Sequence, residues 1–425
     1  MPSRKQRHMA LILTPILGVA IALGVTPAGA SDAPAAPRAG SAYVAVIDAG
    51  SSGTRLTLYA PGSDLTASRV FRVPLTTPGL SSFVDNPGDA GPQSVTPLID
   101  ALRDQLVTTG IPPADVPIAL LATAGMRLLQ QTNPAAVRAI FASTQTAITA
   151  SGMPLRANAI LPDVREAALA WVDANALSGT LDDTAPRVGI IEVGGASAQV
   201  AFHSPRPQGP GVIRVRVDGR VLHTVAVSYL GLGSNETRGA MQKKLDGGKP
   251  CFPNNATGVD PEFYMAASQR PVASDLAEFR GSPCGRTYAA VIGDVATTVA
   301  EPRIRPQRLG SLPGFNRASF VGLGSVTFTY TDFKIPTTAD PRQALATRVR
   351  TTCKGPDAWA SVRALYSEPV PSVADTLCSS GSYIGEFLFG SRGLDVDPTR
   401  INPIPAFAGG VPSWPSGYAI TVLFP

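Results

Sequence analysis

Histidine and cysteine are scarce in this 425-residue chain, three and four residues respectively, and charged side chains make up only 16% of it. Cys251, Cys284, Cys353 and Cys378 form no CxxC pair, and the few histidines, His8, His203 and His223, hardly supply the remaining ligands, which argues against a zinc site. The low charge excludes a long coiled coil, and a hydrophobic content of 44% excludes a disordered chain. Glycine and proline amount to almost a fifth of the residues but follow no three-residue period, so collagen is excluded and many turns are implied. Past the N-terminal region, every apolar stretch is broken by Pro, Gly or a charge well short of the about 18 residues of a membrane span. Lysine is also rare, 6 against 30 arginines, which with the Ala and Pro richness fits a GC-rich bacterial genome. What remains is a turn-rich globular protein whose length suits two domains.

Arg4, Lys5 and Arg7 precede a charge-free run from Met9 to Val25, and Ala28-Gly29-Ala30 then supplies the small-x-small pattern of a signal-peptidase site. Residues 1–30 therefore read as a secretory signal peptide, with a retained N-terminal anchor as the alternative, and Ser31 to Gly40 as a linker. The formal charge of +5 falls to +2 once this segment is gone, too little for a nucleic-acid binder, and no stable membrane span is left. Export to a secreted or periplasmic location suits two disulfides. Four cysteines allow three connectivities, of which the sequential pairs, Cys251 with Cys284 and Cys353 with Cys378, close the shortest loops.

Tyr43 to Asp48 and Arg55 to Ala60 read as strands of a hairpin, and Arg187 to Val193 with Ala198 to His203 as a second one. Between them, helical spacing over 93–109 and 133–150 flanks a short strand, Pro117 to Ala122, and Asp163 opens a helix running from Glu166 to Ala176. A hairpin at Asp218-Gly219 and a helix from Asn235 to Leu245 follow, then a loop-rich excursion over 246–284. Thr327 to Tyr330 alternates like a strand; Thr338 to Arg350, Asp357 to Tyr366 and Ser372 to Gly390 read as helices. The tail from Tyr418 to Phe424 is apolar and strand-like, returning to complete a sheet and make a discontinuous domain.

Two turns share one design. Asp48-Ala49-Gly50-Ser51-Ser52-Gly53-Thr54-Arg55 and Glu192-Val193-Gly194-Gly195-Ala196-Ser197-Ala198-Gln199 each place a carboxylate at the end of an apolar strand, followed by Gly and Ser. Glycine lets backbone N–H groups approach an anion, the hydroxyls add donors, and the carboxylate can hold a divalent cation. Such a pair would clamp a polyphosphate between the halves of a duplicated fold. Ala122 to Arg127 offers a third strand-end element, with the Thr123 hydroxyl. Glu166, three residues after Asp163, has two readings: a capping-box partner or a general base at a cleft edge.

In this order the segments resemble the apyrase family, the nucleoside triphosphate diphosphohydrolases: DAGSSGTR at Asp48 to Arg55, ATAGMR at Ala122 to Arg127, Glu166 with Trp171 and Asn175, and GGAS-x-Q at Gly194 to Gln199. Weaker echoes are Cys378 with Tyr383-Ile384, and Ser413-Trp414-x-x-Gly417-Tyr418. The resemblance implies an α/β, actin-like duplicated fold of two ribonuclease H-like domains around a central nucleotide cleft. The domains would comprise residues 41–162 with 404–425, and 163–403. It implies hydrolysis of nucleoside tri- and diphosphates with Mg²⁺ or Ca²⁺. Ser51, Ser52, Gly53 and Thr54 would cradle one phosphate and Gly195 and Ala196 another, with Thr123 on the terminal phosphate. Asp48 and Glu192 would hold the metal through water, Glu192 standing where the family usually has Asp. Glu166 becomes the base, with Ser197 and Gln199 orienting the attacking water, and no covalent intermediate forms.

Phe328, Tyr330 and Tyr383 are candidates to stack on the base, while Trp171 and Trp414 are assigned to packing. Arg55 and Arg127 either support the loops or meet phosphate. The chain looks like a soluble, exported, monomeric member. An exopolyphosphatase of the related actin-like family and a nucleotide-binding protein without turnover are the competing readings.

Overall fold

The computed structural model describes residues 42–181, 186–245, 251–252, 283–298, 300–301, 304–337, 339–353 and 358–425. The expected signal peptide and linker, and nearly all of the excursion over 246–284, lie outside the described residues.

The first apolar run forms β1 (Val44–Ala49), with β2 (Thr54–Pro61) and β3 (Ala67–Thr76) following as antiparallel neighbours. A helix α1 (Thr96–Thr109) leads to β4 (Ile118–Ala122), then α2 (Ala124–Thr132), α3 (Pro134–Ala150) and β5 (Leu155–Ile160). The sheet order is β3-β2-β1-β4-β5, with β1, β4 and β5 parallel. Next come α4 (Asp163–Leu177), β6 (Gly189–Val193), β7 (Ser197–His203), β8 (Val212–Val217), β9 (Arg220–Leu230) and α5 (Ser234–Lys244). After α6 (Pro283–Thr298) and β10 (Ala300–Glu301), the chain forms β11 (Phe320–Gly324), α7 (Ser325–Asp332), α8 (Pro341–Thr352), α9 (Ala358–Arg363), α10 (Leu377–Phe389), β12 (Ile401–Asn402) and α11 (Trp414–Leu423).

The second sheet runs β10-β9-β7-β6-β11-β12, with β8 on β9. Strip away β8 and β10 and the order β9-β7-β6-β11-β12 repeats the first sheet strand for strand: an antiparallel hairpin, a third antiparallel strand, then two parallel neighbours. The duplication expected from the paired turns is thus a duplication of topology, in an α/β fold of two like halves.

β1 shows why the strand reads as a continuous apolar run. Val44 and Val46 face one core while Ala45, Ile47 and Ala49 face another, so both faces of the sheet are covered. The core between the sheets is built around α4 and α11, which bring Trp171, Val172, Trp414, Ala419 and Ile420 against Val44 and Val46 of one sheet and Ile190 and Ala201 of the other. These two helices follow β5 and β12, the corresponding last strands of the halves.

That position corrects the reading of the tail. Tyr418 to Phe424 is not a strand but part of α11, with Pro415 in its first turn and its residues buried almost all round. A helix wedged between two layers carries no polar face, so its sequence loses the 3.6-residue signature. Gly417 rests directly on the Leu169 backbone of α4, leaving no room for a Cβ.

Thr327 to Tyr330 is a second correction. It lies in α7, where Val326, Thr329, Tyr330 and Phe333 are buried and Phe328 points outward, a helical spacing that a four-residue window of alternating Thr and aromatic residues imitates as a strand. The turn into it needs Gly324, whose φ is +60°.

Both disulfides, Cys251–Cys284 and Cys353–Cys378, are formed. Among the described residues no helix is long and apolar enough to cross a membrane.

Candidate active site

The two turns sit at corresponding ends of β1 and β6. In the first, the Gly50 N–H donates to the Gly53 carbonyl at 2.9 Å, and in the second the Gly194 N–H donates to the Ser197 carbonyl, also at 2.9 Å. The second loop is fastened to the start of α5, since Ser234 and Asn235 N–H groups donate to the carbonyls of Gly194 and Gly195 at 2.8 and 2.9 Å. The loops face one another closely. A Cβ added to Gly195 would lie 2.8 Å from Ser51 Oγ, so any side chain there would have to displace the Ser51 hydroxyl.

Within the first loop Ser52 is exposed and Ser51 half-buried, but Thr54 is buried and its Oγ1 accepts from Ser94 Oγ at 2.9 Å. Thr54 therefore supports the loop from behind. Gly53 lies under Thr76, where a Cβ would come within 2.5 Å of the carbonyl oxygen. Thr123 ends β4 with its N–H on the Ala49 carbonyl at 3.1 Å, and its own carbonyl accepts from Met126 and Arg127. Gly125, the second residue of α2, packs against Ser51. The third motif thus buttresses the first loop.

The capping-box reading of Glu166 does not describe this helix. The residue before α4 is Pro162, and Asp163 Oδ1 accepts from the adjacent Val164 N–H at 2.8 Å. Glu166 Oε2 instead pairs with Arg127 Nη2 at 2.6 Å, both side chains largely buried. The same Nη2 lies 3.2 Å from Ser197 Oγ, and Arg127 Nη1 donates to the Leu161 carbonyl at 3.2 Å. Gln199 Nε2 donates to Ser197 Oγ at 2.6 Å and to Ser228 Oγ at 3.2 Å. Arg127 of the first half therefore joins Glu166 to Ser197, which in turn holds Gln199. Further along α4, Asn175 binds the backbone of Trp171 and Val188, tying the helix to the approach to β6.

Asp48 and Glu192 occupy matching places near the ends of β1 and β6. Burial pushes the Asp48 carboxyl up to about 7; Arg55, with Nε 3.8 Å from Oδ2, opposes the rise, and Glu166 adds to it. Glu192 is pushed up to about 8, first by burial and then by the charges of Glu166 and Asp48. Glu192 Oε2 is buried without a hydrogen-bond partner among the described residues. An orphaned carboxylate oxygen beside other carboxylates fits a hard divalent cation, which takes oxygen ligands. Among the described residues no three His, Cys, Asp or Glu side chains gather tightly enough to cage an ion, so the donor set fits a cation that keeps water and phosphate oxygens as ligands.

The three aromatic candidates separate. Phe328 is 67% exposed on α7. Tyr330 and Tyr383 are buried, their hydroxyls donating to the carbonyls of Pro341 and Leu232. Sequence reasoning passed over Ser228, Ser234 and Ser325; the last two link α5 to the start of α7 through Oγ atoms 3.2 Å apart. The duplication was the available signal, because α7 after β11 corresponds to α2 after β4.

The sequence profile of the GDA1/CD39 (nucleoside phosphatase) family matches residues 36–270. Probable apyrase 5 of Arabidopsis thaliana is 25% identical over 94% of this chain and 86% of that protein. Probable apyrase 3 of the same plant is 34% identical over 48% of this chain, which spans 43% of that relative. Among solved structures, nucleoside triphosphate hydrolases from Neospora caninum share the fold, with a TM-score of 0.53 at 15% identity over 90% of this chain and 92% of that one.

Proposed function

Since the chain belongs to the GDA1/CD39 (nucleoside phosphatase) family, we propose that it is an apyrase, hydrolysing nucleoside tri- and diphosphates to the monophosphate and orthophosphate. The observation that carries this reading is the meeting of Glu166, Ser197 and Gln199 beside two Gly/Ser loops that face each other at the distance set by Gly195 and Ser51. Ser51, Ser52 and Gly53 cradle one phosphate and Gly195 and Ala196 the next, with Thr54 bracing the first loop and Thr123 on the terminal phosphate. Glu166 takes a proton from water as its oxygen attacks the terminal phosphorus, and the bridging P–O bond breaks in line. Ser197 and Gln199 orient that water.

Asp48 and Glu192 would hold Mg²⁺ or Ca²⁺ through water, and the ion would supply charge neutralisation for the phosphate oxygens. Phe328 offers a ring face to the base, which suits a permissive choice of nucleotide. The two bodies, 41–162 with 404–425 and 163–403, close around the substrate, and the protein works as a monomer. Export with removal of residues 1–30 is supported by the two disulfides.

The test is phosphate release from ATP, ADP and long-chain polyphosphate by the protein with and without EDTA, beside Glu166→Gln. Metal-dependent release from both nucleotides, absent from polyphosphate and reduced by roughly 10²-fold or more in Glu166→Gln, is expected. Full activity of Glu166→Gln would remove the base, and nucleotide binding without any release would leave a binding protein.

A further inference from the structure

We propose that Arg127 is a positioning residue for this hydrolysis, one that fixes the direction of the Ser197 hydroxyl hydrogen and selects which oxygen of Glu166 acts as base. The inference rests on the assignment of Glu166 and Ser197 above. Its basis is a single guanidinium that reaches three groups on separate segments. Nη1 donates to the Leu161 carbonyl just before α4, while Nη2 meets Glu166 Oε2 at 2.6 Å and Ser197 Oγ at 3.2 Å. Arg127 belongs to α2 of the first half, Ser197 to β7 of the second.

A serine hydroxyl has two lone pairs and one hydrogen. At Ser197 one lone pair receives Arg127 Nη2, which can only donate, and the other receives Gln199 Nε2 at 2.6 Å. The hydrogen must then point away from both, so Ser197 acts as a donor. A water placed against it accepts through its oxygen and keeps both hydrogens free, one of them for Glu166. On Glu166, Oε2 is held by Arg127 while Oε1 makes no hydrogen bond among the described residues. Oε1 is therefore the atom that takes the proton, and the water is held with its oxygen toward a hydroxyl donor and a hydrogen toward the base. Lysine cannot replace this arrangement, because one ammonium does not span the Leu161 carbonyl and the Glu166–Ser197 pair as a two-pronged guanidinium does.

The experiment compares Arg127→Ala, Arg127→Lys, Ser197→Ala, the Arg127→Ala/Ser197→Ala double variant and Glu166→Gln for cation-dependent phosphate release from ATP, in the full chain. Arg127→Ala is expected to lower kcat by roughly 10²-fold with little change in KM. Arg127→Lys, which keeps the charge and covers the case of an alanine variant that does not fold, should also lose most of its kcat. Losses from Arg127→Ala and Ser197→Ala should fall well short of additive, since both disable the same hydroxyl while only Arg127→Ala also frees Glu166 Oε2. Guanidinium ion at millimolar concentration should restore part of the kcat of Arg127→Ala and none of that of Ser197→Ala, which a structural role would not produce. A raised KM with kcat intact would make Arg127 a phosphate ligand and overturn the proposal; additive losses, or wild-type kcat in Arg127→Lys, would overturn it too. If Glu166→Gln is inactive while the Arg127 variants are unimpaired, this inference alone falls. If Glu166→Gln stays active, the functional reading itself falls.

Discussion

The two halves share a strand order but not a distribution of chemistry. At the end of β1, Asp48 has Arg55 beside it, and the loop that follows carries two serines backed by Thr54 and Ser94. At the end of β6, Glu192 has no basic partner among the described residues, and its loop carries two glycines secured by the N-terminus of α5. The helix after the fourth parallel-sheet position differs likewise: α2 sends Arg127 inward to Glu166, whereas α7 presents Phe328 outward. The first half thus offers two serines and a guanidinium to the reacting centre, and the second offers Glu166, the Ser197 hydroxyl with Gln199, loop backbone, a buried carboxyl and an exposed ring. Duplication supplied the frame, and side-chain divergence divided the work.

This asymmetry can be broken experimentally. Gly195→Val should have the largest effect, cutting phosphate release by about 10²-fold or more, because its side chain would enter the space held by Ser51 Oγ 2.8 Å away. Ser51→Ala in the facing loop should cost far less, since backbone donors remain; equal losses in steady-state assays would erase the distinction between a backbone loop and a hydroxyl loop.

Next in size is the carboxylate pair. Asp48→Asn and Glu192→Gln should each weaken cation-dependent activity, but they should diverge in thermal unfolding with EDTA present. Above about pH 8, where the Glu192 carboxyl is ionised, Glu192→Gln removes a buried charge that lacks a basic partner among the described residues and should raise Tm, while Asp48→Asn strands Arg55 and should not. A lower Tm for Glu192→Gln would show that the second carboxylate is neutralised by means other than a cation.

Phe328→Ala should raise KM for nucleotides by about tenfold and leave kcat nearly unchanged, in keeping with the roughly 1–3 kcal/mol of base stacking on an aromatic ring. Tyr330→Phe and Tyr383→Phe should leave KM alone. A change of KM in those two and none in Phe328→Ala would move the base site into the interior of the second half.

The smallest effect lies where the halves meet. Asp173 accepts from the Ser413 N–H and the Ser416 hydroxyl of α11, and burial, the dominant influence, pushes its carboxyl up to about 6. The native protein therefore holds a proton between about pH 4 and 6 that the unfolded chain has lost. This group's contribution to stability is complete below its ordinary value of 3.8 and disappears as pH rises through about 6. The size is about 3 kcal/mol at most. Asp173→Asn keeps an acceptor for Ser413, lets the Ser416 hydroxyl turn and accept, and removes the titration; its Tm should exceed the wild type's at about pH 8 and match it at about pH 4. A parallel pH dependence in both proteins would assign the titration elsewhere.

The loops were legible in the sequence because each couples an apolar strand to a Gly/Ser turn, a local signal that needs no partner. α7 and α11 were not. Thr327 to Tyr330 is too short to separate periods of 2 and 3.6, and Tyr418 to Phe424 is buried or half-buried throughout with no exposed side, so neither carries an amphipathic stripe. Glu166 was ambiguous for another reason: its companion Arg127 stands 39 residues away in the chain, and only the tertiary fold that brings the two side chains together selects that bond over a cap. The grip of Asp173 on Ser413, 240 residues later, leaves no trace in local pattern.

α4 carries a consequence for variation in this protein. One helix supports Glu166 in its first turn and, about 10 Å along its axis, anchors α11 through Asp173, with nearly all residues between them buried. It is at once spine and working part. Substitutions along it would register together in unfolding temperature and in turnover, so the usual freedom to exchange robustness for speed at separate positions is closed to this stretch, and natural drift should concentrate in β8, β10 and the outer helices of the second half instead.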